Sequence, residues 1–305
     1  MRKFAALLLA LVLLPCLALS ETIVTSFYPV WIMALNLTRG LENDVDVRNL
    51  AAPSVGCLHD YQLQTADMKT LAAADVFLVN GAGMEAFLPE ITHALPSLPV
   101  VEASDGIDLL TDTASLQIAS GEESEEDSSV NAHIWLDPSR AVLMVQNLAR
   151  GLVQVFPQYE EIILSNQKDY CSRLEALDAQ LRDGLKDLSR RDIITFHEAF
   201  PYFAEAYGLH VVAVVYKEPG EVLTPSQLAG LVREIPLLGN PPLFVEPQYT
   251  DLSAKTLSRE TGAPVFTLDP IVTGPEKVPL DYYETVMIQN MNTLIEALSS
   301  PSVSD

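Results

Sequence analysis

The chain has 305 residues, of which 49% are hydrophobic and 19% charged, and its formal net charge is −23 at pH 7. This length allows one large or two medium globular domains. The strong negative charge repels nucleic acid and anionic membrane surfaces and so argues against both as partners, whereas it attracts cations without specificity.

The N-terminus carries the features of a signal peptide. Residues 1–3 include two basic side chains, residues 4–19 form an almost unbroken apolar run, and Ala18-Leu19-Ser20 matches a small-x-small cleavage pattern. The apolar run is shorter than the about 20 residues of a membrane-spanning helix. We therefore expect residues 1–20 to be removed and the mature protein to be exported to the periplasm. A membrane tether through Cys16 is the alternative, and Pro15 directly before it disfavours that processing.

Short β-rich runs alternate with amphipathic helical stretches along the rest of the chain. The predicted strands are residues 22–27, 45–50, 76–80, 100–103, 133–136, 193–196, 211–215, 243–246 and 265–268, and the helical stretches between them include 62–73, 201–207, 225–234 and 250–261. This alternation predicts an α/β fold of parallel sheets flanked by helices.

One segment breaks the alternation. Apolar residues recur at helical spacing from Ile163 to Leu188, and no proline interrupts residues 158–191. A helix of about 30 residues is roughly 45 Å long. We therefore predict one long connecting helix at 157–189, between an N-terminal α/β lobe at 21–156 and a C-terminal α/β lobe at 190–305. A coiled-coil arm is the alternative, but a single apolar stripe offers it no partner.

Two polar segments show no periodicity. Residues 121–129 carry five carboxylates among glycine and serine, a composition typical of a solvated loop, although such a loop also attracts cations. Residues 299–305 form a short polar tail that we expect to be disordered.

Four polar side chains stand near the ends of predicted strands. Open α/β sheets bind ligands at the carboxyl ends of their strands. His59, His197 and Asp269 follow or end such strands, whereas His133 starts one. Their positions alone are about equally consistent with ligand binding and with loop capping.

The other histidines and the cysteines carry weaker signals. His93 lies in a helical surface pattern and His210 starts a strand, so neither is expected to bind a metal. Cys57 and Cys171 remain after processing and are far apart in sequence. They could pair in an oxidising compartment, but two cysteines do not make a disulfide framework.

Four segments together resemble the signature segments of the metal-binding solute receptors of ABC transporters, the ZnuA/TroA-type family. They are His59-Asp60-Tyr61, His133-Ile134-Trp135-Leu136-Asp137-Pro138, Thr195-Phe196-His197-Glu198-Ala199-Phe200-Pro201-Tyr202-Phe203 and Leu268-Asp269-Pro270. They occur in the order of the family, and the resemblance covers essentially the whole mature chain, including the long helix.

The resemblance implies a monomeric receptor that delivers one metal ion to the membrane permease of an importer. It also implies which residues hold the ion between the lobes: His59 and His133 from the first, His197 and Asp269 from the second. Family members with glutamate in place of the third ligand tend to handle manganese, so His197 resembles the zinc branch.

The chain departs from the family pattern at two places. Family members have proline at or next to the position before the first His-Asp, whereas this chain has Cys57-Leu58. The shape of that loop is therefore not carried over, and Cys57 is left as a bystander thiol near the metal. Zinc members often carry a histidine-rich loop before the second ligand, but here the corresponding stretch is acidic and contains no histidine.

The implied ligand set suits Zn²⁺ on chemical grounds. Three neutral imidazoles and one carboxylate match the tetrahedral nitrogen and oxygen coordination of zinc. Nickel, cobalt and copper also accept imidazole, and manganese prefers a shell richer in oxygen. We therefore expect Zn²⁺ as the transported ligand, with Mn²⁺ or another divalent ion as the alternative.

A zinc hydrolase and a surface adhesin are the alternatives to a receptor. A zinc hydrolase keeps a coordination position open for water, whereas Asp269 would close the shell. His197-Glu198 does not begin an H-E-x-x-H motif, because Pro201 occupies the second histidine position. A surface adhesin would need an exposed apolar patch, which this acidic chain does not indicate. We expect a binding protein and not an enzyme.

Overall fold

The computed structural model of the chain describes residues 20–58, 61–111, 130–215 and 223–299. Most of the predicted signal peptide, the acidic segment 121–129, His59 and residues 300–305 of the predicted tail lie outside these residues. Within the described ranges, no helix combines the length and apolar character needed to cross a membrane.

Four parallel strands form the sheet of the first lobe. These are β1 (Glu21–Thr25), β2 (Val45–Asn49), β3 (Val76–Val79) and β4 (Val100–Glu102), in the order β2-β1-β3-β4. The strands are connected in turn by α1 (Tyr28–Leu37), α2 (Thr65–Ala72) and α3 (Leu88–Ala94). All four residues of β3 are buried, because a central parallel strand is covered by helices on both faces.

Two long helices follow the first sheet. Helix α4 (Pro138–Val155) leads through a short 3₁₀ turn at Pro157–Tyr159 into α5 (Glu160–Leu185), which has 26 residues. The predicted connecting helix is therefore present but begins later and ends earlier than 157–189. Its apolar stripe, from Ile163 to Leu185, is buried against neighbouring helices. The coiled-coil arm is thus wrong, because the stripe packs inside the molecule.

The second lobe repeats the topology of the first. Its strands are β5 (Asp192–Thr195), β6 (His210–Val214), β7 (Leu243–Val245) and β8 (Val265–Thr267), in the order β6-β5-β7-β8. Its helices are α6 (Pro201–Tyr207), α7 (Pro225–Leu237), α8 (Leu252–Thr261) and α9 (Tyr282–Ser299). The prediction of two parallel sheets flanked by helices and joined by a long helix is confirmed.

One predicted strand is wrong. Residues 133–136 were expected to be extended, but Ile134–Leu136 form a 3₁₀ turn that leads directly into α4. The Asp137 carboxylate accepts the Ser139 N–H (2.9 Å) and Pro138 occupies the first turn of α4. These are the features of a helix N-terminus. The short apolar run before them is buried by its neighbours without pairing as a strand.

Helix α5 is bonded to both lobes through Arg173. The guanidinium group donates hydrogen bonds to Asn36 of α1 and to the carboxylate of Glu284 in α9. It also lies over the Tyr170 ring, 4.7 Å from the ring centroid. The connecting helix therefore fixes the C-terminal helix against the first lobe as well as linking the two sheets in sequence.

A tight turn after β3 is held by a buried carboxyl group. Gly81, Ala82 and Gly83 all have positive φ (77°, 52° and 82°). Glu85 accepts the N–H groups of Asn80 (2.8 Å) and Gly81 (3.0 Å). The Asn80 side chain in turn donates to the carbonyl of Ala132 (3.0 Å), next to His133. The turn thus connects the first sheet to the start of the 133–136 segment.

Burial raises the pKa of the Glu85 carboxyl from 4.5 to about 7. Between these values the folded chain holds a proton that the unfolded chain releases. The contribution of Glu85 to stability is therefore complete below the unfolded pKa. This contribution is lost as the pH rises through the folded pKa, and the total loss of folding stability is roughly 3 kcal/mol.

We predict that Glu85→Gln removes this pH dependence. The free energy of unfolding is measured in urea for both proteins. The variant should be less stable than the wild type by the largest amount at pH 5, and this difference in stability should be roughly 2–3 kcal/mol smaller at pH 8. Glu90→Gln provides the control for the loss of a carboxyl group, because Glu90 is exposed. A gap for Glu85→Gln that is equal at both pH values would contradict this assignment.

Candidate metal site

Three donor groups from distant parts of the chain converge between the lobes. The sulfur of Cys57 and one ring nitrogen each of His133 and His197 all lie within 4.8 Å of one another. The histidine rings meet edge to face, with their centroids 4.9 Å apart. Both histidines are buried and Cys57 is half-buried. Two of the four predicted ligands, His133 and His197, are thus brought together.

The His133 ring is oriented by Asn131. The side-chain oxygen of Asn131 accepts the His133 backbone N–H (3.0 Å) and lies 3.2 Å from Nδ1 of the ring. The amide nitrogen of Asn131 donates to the carbonyl of Glu198 (2.8 Å), which fixes the amide orientation. Nδ1 therefore carries the proton and donates to Asn131, and the lone pair is on Nε2, which faces the sulfur of Cys57 at 3.5 Å.

The His197 ring is oriented by Glu246. Nδ1 of His197 lies 2.9 Å from the Glu246 carboxylate, and only 4% of His197 and 3% of Glu246 are exposed. Gln248 donates to the second carboxylate oxygen (2.5 Å). A carboxylate that accepts the Nδ1 proton leaves Nε2 of the imidazole for a metal.

Strand order explains how this pair forms. His197 follows β5 and Glu246 follows β7, and these strands are neighbours in the second sheet. From the sequence, Glu246 is only the last residue of a predicted strand, and its role is not predicted. An acidic residue at a strand end was the available signal, but the sequence does not reveal that β7 lies beside β5.

Asp269 follows β8 in a rigid backbone environment. Its N–H and carbonyl both bond to the Asn290 side chain (2.9 and 2.8 Å), and its carboxylate accepts the Ile271 N–H (2.7 Å). Burial, with a smaller contribution from the nearby Glu246 charge, raises the pKa of Asp269 to about 6, although the Ile271 hydrogen bond acts to lower it. Asp269 is not part of the group within 4.8 Å, and His59 lies outside the described residues.

The segment that carries His133 is bonded to the second lobe. The Tyr202 hydroxyl donates to the carbonyl of Asn131 (2.8 Å) and accepts the Leu110 N–H (3.0 Å).

The Trp135 indole N–H donates to the carbonyl of Pro270 (2.7 Å), next to Asp269. The Tyr283 hydroxyl donates to the carbonyl of Trp135 (2.5 Å). Parts of the chain around the predicted ligands of different lobes are therefore joined directly.

The two cysteines occupy different environments. Neither Cys57 nor Cys171 forms a disulfide in the described structure. The Cys171 thiol is buried on α5, where it contacts the carbonyl of Val142 at 3.9 Å, and burial raises its pKa to about 11. The sulfur of Cys57, which sequence analysis left as a bystander, lies among the donor groups of the candidate site.

Comparison with known proteins identifies a matching family. Residues 23–297 match the family model of ZnuA, described as the periplasmic component A of the zinc-uptake complex. The zinc-binding protein AdcA of Streptococcus pyogenes serotype M6 is 29% identical over 288 residues, which cover 89% of this chain and 55% of AdcA. The chain thus spans little more than half the length of the first curated relatives that it matches.

Other relatives are associated with a different metal. The manganese-binding lipoprotein MntA of Halalkalibacterium halodurans is 28% identical over 244 residues, covering 79% of this chain and 77% of MntA. The structure of FpvC from Pseudomonas aeruginosa in complex with Mn²⁺ has a TM-score of 0.77 and 26% identity, covering 92% of this chain and 98% of FpvC. The fold alone therefore does not select the metal, and selection must come from the donor groups.

We predict that Glu246→Ala weakens the binding of a divalent metal by about 10–100-fold, because removal of a group that orients a ligand histidine has effects of this size. Titration calorimetry with Zn²⁺ measures the change. Glu246→Gln is the matched control, since its amide oxygen can still accept the Nδ1 proton of His197 and should restore most of the affinity. Wild-type affinity in Glu246→Ala would show that this hydrogen bond does not support the site.

Proposed function

Because the chain belongs to the ZnuA family of zinc-uptake components, we propose that it is a receptor that captures Zn²⁺ and delivers it to the membrane permease of an ABC importer. The observation that carries this proposal is the convergence of His133 and His197. Each ring has Nδ1 engaged by an internal acceptor and Nε2 left for a metal. Such paired imidazoles with fixed tautomers are typical of metal-binding sites.

Family membership also indicates whether the chain is an enzyme. The members are substrate-binding components of transporters, so the prediction of a binding protein and not an enzyme is confirmed. The metal is then cargo, and the site needs no open position for a reacting water.

Zinc is the metal that the donor groups favour. Imidazole nitrogen suits Zn²⁺, whereas Mn²⁺ prefers carboxylate, carbonyl and water oxygens. Both histidines of the described group are almost fully buried, so few water molecules can complete an oxygen-rich shell. We propose Zn²⁺ as the physiological ligand on this basis.

The proposed ligand set includes residues from both lobes. It consists of His59, His133, His197 and Asp269. His59 rests on the sequence motif, and Asp269 rests on that motif together with its position beside the Trp135–Pro270 hydrogen bond. A cation would also relieve the cost of the buried Asp269 charge next to Glu246.

The mode of action follows from the bonds between the lobes. Opening the cleft widely would break the buried hydrogen bonds of Tyr202, Trp135 and Tyr283. We therefore propose that a monomeric, exported receptor captures the ion through small movements of lobes and loops. The periplasm is the proposed compartment.

We predict that His133→Ala and His197→Ala each reduce zinc affinity by more than the roughly 10–100-fold typical of outer-shell changes. Calorimetry and elemental analysis of the purified protein measure affinity and stoichiometry, with one zinc per chain expected for the wild type. His59→Ala and Asp269→Asn should weaken binding as well if the full ligand set is correct.

His93→Ala and His210→Ala are the matched controls, because these exposed histidines lie on α3 and β6, away from the site. Both should bind zinc as the wild type does. In cells with limiting zinc, His197→Ala should reduce the accumulation of radioactive zinc and His210→Ala should not. Unchanged zinc affinity in both His133→Ala and His197→Ala would refute the proposed receptor function.

A further inference from the structure

We propose that Cys57 is itself a ligand of the transported metal, bound through its sulfur together with Nε2 of His133 and Nε2 of His197. This inference deepens the receptor function proposed above and rests on it. It replaces the interpretation of Cys57 as a bystander thiol, and it gives this chain a sulfur-containing site.

The spacing of one pair of donor atoms fits a tetrahedral zinc site. With a Zn–S bond of about 2.3 Å and a Zn–N bond of about 2.0–2.1 Å, a tetrahedral angle separates sulfur and nitrogen by about 3.6 Å. The sulfur of Cys57 lies 3.5 Å from Nε2 of His133. The two atoms are therefore already at the separation that a shared Zn²⁺ would impose.

A simple thiol–imidazole hydrogen bond does not account for the whole arrangement. Such a bond explains why the sulfur approaches His133. It does not require His197, which comes from the other lobe, to place a ring nitrogen within 4.8 Å of both atoms. Three convergent donors, two of them on imidazoles with fixed tautomers, are what a metal requires.

The backbone around Cys57 holds the sulfur in place. Gly56 has a φ of 87°, and a Cβ at this position would lie 3.3 Å from the Tyr249 hydroxyl. Leu58 on the other side is completely buried. Cys57 is thus fixed between a left-handed turn packed against the second lobe and an anchor in the core. This is also the loop where the sequence departs from the family pattern.

Sulfur coordination has a defined chemical consequence. The Zn–S bond forms as the thiol proton leaves for solvent, since the thiolate is the form that binds a metal. One further ligand, for which Asp269 is the candidate among the described residues, completes a tetrahedral shell. A thiolate is a soft ligand that favours Zn²⁺ and disfavours Mn²⁺. Cys57 therefore biases this member of the family toward zinc.

Cobalt substitution of the full chain tests the inference, because Co²⁺ bound to a thiolate shows an intense sulfur-to-metal charge-transfer band in the near ultraviolet. The wild type, Cys57→Ser and Cys171→Ser are loaded with Co²⁺ under a phosphine reductant, and their absorption spectra are compared. Cys171→Ser is the matched control, since this thiol is buried on α5. The band should be present in the wild type and in Cys171→Ser and absent from Cys57→Ser.

Competition titrations with Zn²⁺ and Mn²⁺ provide the second measurement. The ratio of zinc to manganese affinity should fall by about tenfold or more in Cys57→Ser, at least the effect of losing an outer-shell partner, and stay unchanged in Cys171→Ser. If the wild type binds Co²⁺ and Zn²⁺ but shows no sulfur band, the inference is wrong while the receptor function stands. If the wild type binds neither metal, the receptor function fails and the inference fails with it.

Discussion

The site depends on the hydrogen bonds that join the 131–135 segment of the first lobe to the second lobe. The hydroxyls of Tyr202 and Tyr283 and the indole of Trp135 are all buried at this junction. Each such bond contributes only about 0.5–1.5 kcal/mol net, but leaving a buried partner unsatisfied costs more. Separation of the lobes would expose several of these groups together. The position of His133 relative to the second lobe is therefore fixed before any ion binds.

A second constraint fixes the orientation of the two imidazoles. Asn131 acts on His133 within one short segment, whereas Glu246 acts on His197 across neighbouring strands. In both sheets the strand order reverses beside the first strand of the lobe, which is where open α/β sheets bind their ligands. The repeated topology thus gives each lobe such a crevice, and donors from the two lobes converge at one site. Preorganisation of this kind reduces the entropic cost of ordering the side chains when the ion binds.

The sequence predicts the strands and helices that have a periodic apolar pattern. It does not predict contacts that depend on which strands lie beside each other. Eight strands and the connecting helix follow from periodicity, because buried strands and helical stripes have local signatures. The 3₁₀ turn at Ile134–Leu136 was predicted as a strand, since a buried apolar run looks the same in both. Motif resemblance identified His133 and His197. Glu246 was missed because its role depends on strand order. Cys57 was predicted to lie near the metal, but only as a bystander thiol, because its loop departs from the family pattern.

Electrostatics connects metal binding to the stability of the cleft. Asp269 and Glu246 are carboxyl groups held near each other in a region with little access to water, within a chain whose formal charge is −23. Burial raises the pKa of Asp269 to about 6, which means that its charge destabilises the empty cleft at neutral pH. A divalent cation removes that cost, so the folded state with the ion is favoured over the folded state without it. Loss of the ion would restore this uncompensated charge, so the empty cleft favours the binding of a cation.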